Sequence, residues 1–563
     1  VSPASEVGAG MSVAAVGGER GWSIAAVALA LLALAPLLAL ALTALQGSSG
    51  LWSHIAVHVL PRASLNTVLL LAGVGAMVIA LGTGGAWLVT AYDFPGRGML
   101  SWALLLPLAM PTYIVAYAYL DLLHPLGPLQ SGLRALLGID SPRDFRLPDI
   151  RSLIGCILLL GLVLYPYVYL TARAMFATQA GSLLEAARTL GAGRVAQFFR
   201  VALPMARPAI AVGVALALLE TLNDIGASEF LGVQTLTVSV YTTWVSRSDL
   251  PGAAQIALVM LALVLALIVL ERYGRRRQRY AAGQRPRPMQ PQRLGGAAAF
   301  LALVLGLLPV LAGFLLPAMH LLWAGIERMQ LADGISTQLI DSAWNTLRIA
   351  AIATVVTMLA GLALAWALRL AQARRRPKLA AVCLRTASLG YAVPGTVLAI
   401  GLLVPLAWFD IGAGWLLQPF GIEPRMLLMG SVSALVIAYM LRFLAISAGS
   451  ADAGLARIPP SLDQAARSLG ERSGGALWRV HLPLLRPSLA AAALLVFVDA
   501  MKELPATLML RPVNFDTLAT WLYADAARGA YEDGALAALL IVLAGLLPVI
   551  LLARGFRPEG GRL

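Results

Sequence analysis

Ser182-Leu-Leu-Glu-Ala-Ala-Arg-Thr-Leu-Gly191, with Leu203-Pro204 behind it, returns far down the chain as Ser461-Leu-Asp-Gln-Ala-Ala-Arg-Ser-Leu-Gly470 with Leu482-Pro483. The offset, 470 − 191 = 279, holds without a gap from Ser182 to Pro208. Such a register requires two copies of one fold unit, each presenting the same short segment between long apolar runs.

Those runs fix the fold class. The 563 residues are 59% hydrophobic and only 12% charged, with a mean hydropathy of +0.81, too much apolar surface for a soluble domain. A helix needs roughly 20 apolar residues to cross a hydrocarbon core of about 30 Å. Such stretches fall at 22–45, 64–91, 99–121, 150–173, 208–226, 253–271, 296–323, 342–368, 380–409, 426–449, 486–505 and 534–554. The expectation is an all-α polytopic membrane protein of about twelve helices, in two parallel six-helix repeats.

Basic residues set the orientation, because short loops rich in Lys and Arg stay in the cytoplasm. Arg173 to Arg207, Arg272 to Arg293, Arg369 to Lys378 and Arg442 to Arg486 mark one side; Arg134, Arg143 and Arg146 run against the trend. This places both termini and both repeated loops in the cytoplasm. The net charge of +14 is read as topology, since no basic run is interleaved with base-stacking aromatics and nucleic acid is not an expected partner. The expected divisions are a tail over 1–21, of the natural chain or added to it, a first half over 22–271, a basic linker over 272–295 and a second half over 296–563. Cys156 and Cys383 both fall in apolar spans and suggest no disulfide framework.

Within each loop, Ser182 with Glu185 and Ser461 with Gln464 fit a capping box at a helix start. Gly191 and Gly470 stand where a left-handed cap ends the helix. The result is a helix of about two turns, too short to hold alone in water. Leu203-Pro204 and Leu482-Pro483 are expected to break the chain again before it enters the membrane.

The doubled pattern resembles the Glu-Ala-Ala loop of ABC-importer permeases, and the resemblance covers essentially the whole chain as two fused permease halves. It implies that Glu185, Ala186, Ala187, Gly191, Leu203 and Pro204, with Gln464, Ala465, Ala466, Gly470, Leu482 and Pro483, form two docking surfaces. These would engage two copies of a cytoplasmic ATPase, which would carry ATP and magnesium; this chain would bind no cofactor and hold no catalytic residue. A periplasmic substrate-binding protein would deliver the cargo at the bacterial inner membrane. The second copy departs from the pattern at Gln464, where Asp463 could supply a charge one position earlier. The stretches Met501 to Thr520 and Tyr391 to Gly401 resemble fused permeases of ferric-iron importers, with thiamine, polyamine and aminophosphonate importers as alternatives. A secondary transporter or channel is the alternative of another class. The only lysines, Lys378 and Lys502, follow Pro377 and Met501, so this chain can build no Gly-Lys phosphate loop of its own.

The same offset pairs Glu220 with Asp499 and Asp224 with Glu503, which is expected to put two acids four residues apart on one helical face, near the membrane interior, in each half. Charges at that depth cost at least about 2.5 kcal/mol and must face a cavity or a partner. They either line a path for a hard cation or pair internally. His320 and His481 have no second His or Cys at ligand spacing and are read as polar contacts; no firm metal site is expected. Tyr113, Tyr117 and Tyr119 either line a route or mark a membrane interface.

Overall fold

The computed structural model describes residues 4–48, 50, 52–139, 141–179, 187–275, 291–331, 335–420, 426–529 and 534–555. Ten of its helices are long and apolar enough to cross a membrane, among them Arg20–Leu45, Leu153–Ala177, Thr337–Ala373 and Val432–Ala456. The stretch expected as one span at 99–121 is instead two helices, Arg97–Ala109 and Thr112–Leu122, bent by 90°. Pro111 causes the break: it sits at the N-cap with φ −58° and ψ 147°, and its ring forbids the helix from running through. The second repeat does the same at Pro394, so 380–409 divides into Lys378–Ala387 and Gly395–Leu417.

Leu203-Pro204 and Leu482-Pro483, expected as breaks, are not. The helical run passes through them as single spans, Arg194–Asn223 and Ser473–Met501. Ahead of each proline the helix widens into a π turn, Gln197–Ala202 and Leu477–His481, which accommodates the ring and the missing amide without ending the helix. The same device precedes Pro61 and Pro317, at Ile55–Val59 and Leu311–Leu315.

Two compact units emerge, and they cut across the two sequence repeats. One comprises Val1–Ser48, Arg247–Leu258 and Asp341–Thr517; the other Ser49–Ser246, Val259–Ile340 and Leu518–Leu563. Each unit takes helices from both repeats. In the first, the helix Ala4–Leu45 crosses Gly395–Leu417 so closely that a Cβ on Gly401 would strike the Pro36 carbonyl. In the second, Gly313 meets the helix Leu153–Gln179, where a Cβ would lie 2.5 Å from the Leu162 carbonyl oxygen. Lipid supplies no hydrophobic drive between helices, so small residues that let backbones approach carry the packing. Gly82 and Gly361, 279 apart, show this in both repeats: a Cβ on Gly82 would lie 2.9 Å from the Tyr169 amide, and one on Gly361 2.6 Å from the Ala448 amide. A two-residue parallel strand pair, Tyr92–Asp93 with Gln292–Arg293, joins the end of the basic linker to the first repeat.

Candidate functional site

Both repeated loops end their helix in the same way. Gly191 has φ +81° and Gly470 φ +84°. The Gly191 amide donates to the Arg188 carbonyl at 2.9 Å and the Ala192 amide to Ala187 at 3.0 Å. Gly470 to Arg467 and Glu471 to Ala466 repeat the pattern, both at 3.0 Å. These paired bonds form a Schellman cap, which satisfies the last carbonyls and demands a left-handed residue.

The helix of the second loop is Pro460–Ser468. Its start corrects the capping-box expectation: Pro459 is the N-cap and no side chain caps the helix, so Ser461 already lies inside the first turn. Pro460, whose fixed φ and absent N–H suit the first helical position, moved the start forward. Ser182, Glu185 and Ala186 lie outside the described residues.

One face of this helix is anchored. Ala466 is buried in a core with Trp366, Leu370, Leu455, Leu477 and Leu485. Asp463, expected as a free charge for a partner, turns inward instead. Its Oδ2 accepts from Arg369 Nη2 at 2.7 Å and Nε at 3.1 Å, and its Oδ1 lies 2.9 Å from His481 Nε2. His481 is fully buried, its ring tilted against that of Trp366 with centroids 4.8 Å apart, and its Nδ1 lies 3.0 Å from the Ala476 carbonyl. The opposite face is open: Gln464, Ala465 and Gly470 are exposed. Beside them stand residues that the sequence reading passed over. Leu469 is 84% exposed and Leu190, its equivalent, 87%; Trp478 and its equivalent Phe199 are 68% and 60% exposed. Each loop thus carries a bare leucine and a bare aromatic ring at matching positions. The 279 register could have shown this, since both pairs obey it. In the first loop Gln197 holds the turn, donating to the Ala192 carbonyl at 2.7 Å and accepting from Arg188 at 3.3 Å.

The four acids do not share helical faces as expected. The helix Leu203–Asn223 ends before Asp224, and Leu482–Met501 ends before Glu503. Each of these acids caps the short helix after the break. Asp224 Oδ2 accepts from the Ser228 amide at 2.9 Å, and Glu503 Oε1 from the Ala506 amide at 3.2 Å. Capping satisfies amides that a helix start leaves orphaned, and a carboxylate there also meets the positive end of the helix dipole. Their remaining partners differ. Thr112 donates to Asp224 at 2.6 Å, whereas Arg442 Nη1 lies 3.6 Å from Glu503 Oε1. Gly395, at the helix start equivalent to Thr112, makes room for that arginine, since a Cβ there would lie 2.5 Å from Nη1. Asp499 pairs with Lys502 at 2.8 Å, and both it and Glu220 are half-buried. Glu220 and Asp224 belong to one compact unit, Asp499 and Glu503 to the other.

The lone histidines are polar contacts: His320 Nε2 lies 2.9 Å from Asp121. Tyr119 donates to the Ala312 carbonyl at 2.7 Å, and Tyr113 and Tyr117 are buried.

Compared with known proteins, residues 79–280 and 358–559 each match the family of binding-protein-dependent transport system inner membrane components. The chain is 26% identical to the Fe(3+)-transport system permease protein FbpB 2 of Haemophilus influenzae over 495 residues, 87% of this chain and 89% of that protein. It is 30% identical to the molybdenum transport system permease protein ModB of Escherichia coli over 205 residues, 35% of this chain and 86% of the relative. A putative 2-aminoethylphosphonate transport system permease protein of Salmonella choleraesuis, PhnU, is 31% identical over 214 residues, 37% of this chain and 73% of the relative.

Proposed function

The chain belongs to the family of binding-protein-dependent transport system inner membrane components, and on that premise we propose that it carries ferric iron through the membrane in an ATP-driven importer. As a member of that family it is a multi-pass permease, a transport subunit rather than an enzyme. Iron as cargo is supported by likeness along nearly the whole chain to a relative named for Fe(3+) transport.

The observation that carries the mechanism is the pair of identically capped loops, each with an exposed leucine and an exposed aromatic ring at the same register. Each loop takes one copy of a cytoplasmic ATPase, which holds the ATP and magnesium, and both termini lie on that side. A periplasmic binding protein brings the iron to the opposite face. When the ATPases close, the second loop passes the displacement inward through Asp463 and Arg369 to the helix Thr337–Ala373. Asp224 and Glu503 keep the helix breaks in shape, while Glu220 and Asp499, four residues earlier and still on the spanning helices, are the acids offered to the cation.

Assembly with the ATPase tests the docking part. Leu190→Asp with Leu469→Asp should abolish co-purification of the ATPase while leaving the chain in the membrane. Undiminished co-purification of the double variant would remove the docking role from these loops.

A further inference from the structure

Glu229, Tyr241 and Tyr523 meet within one compact unit, at a place that the repeat marks. Asn66 and Asn345 keep the offset 345 − 66 = 279. Their side-chain amides donate, both at 3.1 Å, to the carbonyls of Gln234 and Asp516, which are 516 − 234 = 282 apart. The second repeat has therefore gained three residues by this point, and the shifted register aligns Thr235-Leu236 with Thr517-Leu518 and Tyr241 with Tyr523. The two equivalent tyrosine rings pack edge to face with centroids 6.3 Å apart. Within this unit, then, a residue of the first repeat touches its own equivalent from the second.

One carboxylate reaches this pair. Glu229 Oε2 accepts from the Tyr523 hydroxyl at 2.5 Å, and the Phe230 ring stacks on Tyr523 at 5.6 Å. Glu229 itself is half-buried. The repeat supplies no second acid here: the equivalents of Glu229 are Leu508 at offset 279 and Arg511 at 282. Neither the loop motif nor the acid pairs described above include these residues.

We propose that the Glu229 carboxylate and the Tyr241 and Tyr523 phenols form a contact point for a hard, highly charged cation where helices of the two repeats meet. The assignment rests on the transport reading above and deepens it by naming residues that touch the cargo. Carboxylate and phenol oxygens are hard donors suited to such an ion. In transporters built from repeats, substrate sites lie at the repeat interface. A set of three oxygens leaves the rest of the coordination sphere open, as a site that must also release its ion requires. An arriving cation takes the carboxylate from the Tyr523 hydroxyl, and the hydroxyl returns to Glu229 when the ion moves on.

The test uses the full chain assembled with its ATPase in vesicles, given binding protein loaded with labelled ferric iron, and in a parallel series with gallium(III) as a redox-inert trivalent probe. Glu229→Gln and Tyr523→Phe should each lower uptake of both ions per assembled complex by about tenfold, the loss of one charge-assisted contact. Basal ATP hydrolysis should persist, and Glu229→Asp should recover part of the uptake. Unchanged uptake per assembled complex in Glu229→Gln and Tyr523→Phe overturns the assignment. So does a loss explained wholly by reduced assembly in the near-isosteric Tyr523→Phe. A wild-type complex that transports an oxyanion and no trivalent cation overturns the substrate reading, and this assignment with it.

Discussion

Asp463 Oδ2 lies 2.7 Å from Arg369 Nη2, and this pair ties the helix of the second loop to the spanning helix Thr337–Ala373. The residues at the matching positions of the first repeat cannot copy it. At offset 279 the residues matching Asp463, Arg369 and His481 are Leu184, Thr90 and Ala202. Two loops with the same cap therefore differ in the side chains that stand behind it.

That lock should be measurable as a coupling energy. Arg369→Gln and Asp463→Asn should each cost about 2 kcal/mol, because each leaves a largely buried partner unsatisfied. The double variant should cost clearly less than the sum of the two. Unfolding of all four proteins in detergent checks this, and strict additivity would mean that the pair stores no interaction energy.

The glycine caps offer a conformational test free of steric confusion. A Cβ on Gly191 or Gly470 would meet nothing within 4 Å, so a substitution there acts through backbone strain alone. Val should cost about 1–2 kcal/mol in the left-handed region. It should uncouple ATP hydrolysis from transport, whereas Asn, which tolerates that region, should retain most of the coupling. Hydrolysis and uptake measured side by side in Gly470→Val and Gly470→Asn decide it; equal behaviour would argue against a shape-specific cap.

Gly395→Ala should displace Arg442 from Glu503, because the new Cβ would fall 2.5 Å from the guanidinium. The expected cost is about 1–3 kcal/mol for an overpacked site. Placing Ala at Thr112 should instead remove the hydroxyl that donates to Asp224 and cost about 1 kcal/mol. Thermal denaturation of the two variants should rank them in that order.

The acids should divide by role. Asp224→Asn and Glu503→Gln should lower stability, since both carboxylates cap helix starts. Glu220→Gln and Asp499→Asn should lower iron uptake with less effect on stability. Uptake and denaturation recorded for all four variants separate the roles; a uniform loss of stability across the set would assign them all to the scaffold.

Much of this was legible in the chain itself. The 279 register and the apolar runs carry the membrane fold, the paired loops and the glycine caps, because periodicity and left-handed backbone leave direct marks on sequence. What escaped depends on tertiary context. Proline reads as a break, yet a π turn carries the helix through Pro204 and Pro483, while Pro111 and Pro394 do end one. Asp463 looked free for a partner because Arg369, 94 residues away, is not adjacent in sequence. The meeting of Tyr241 with Tyr523 lay hidden behind a three-residue shift in the register, which shows only when the Asn66 and Asn345 contacts are compared.

The most direct test of the central claim is ATP-driven uptake of labelled ferric iron into vesicles containing this chain, its ATPase and an iron-loaded binding protein. The account predicts uptake that requires all three components and disappears when Leu190 and Leu469 are both changed to Asp. Iron entry that persists without the ATPase, or a complete system that moves molybdate and no iron, would contradict it.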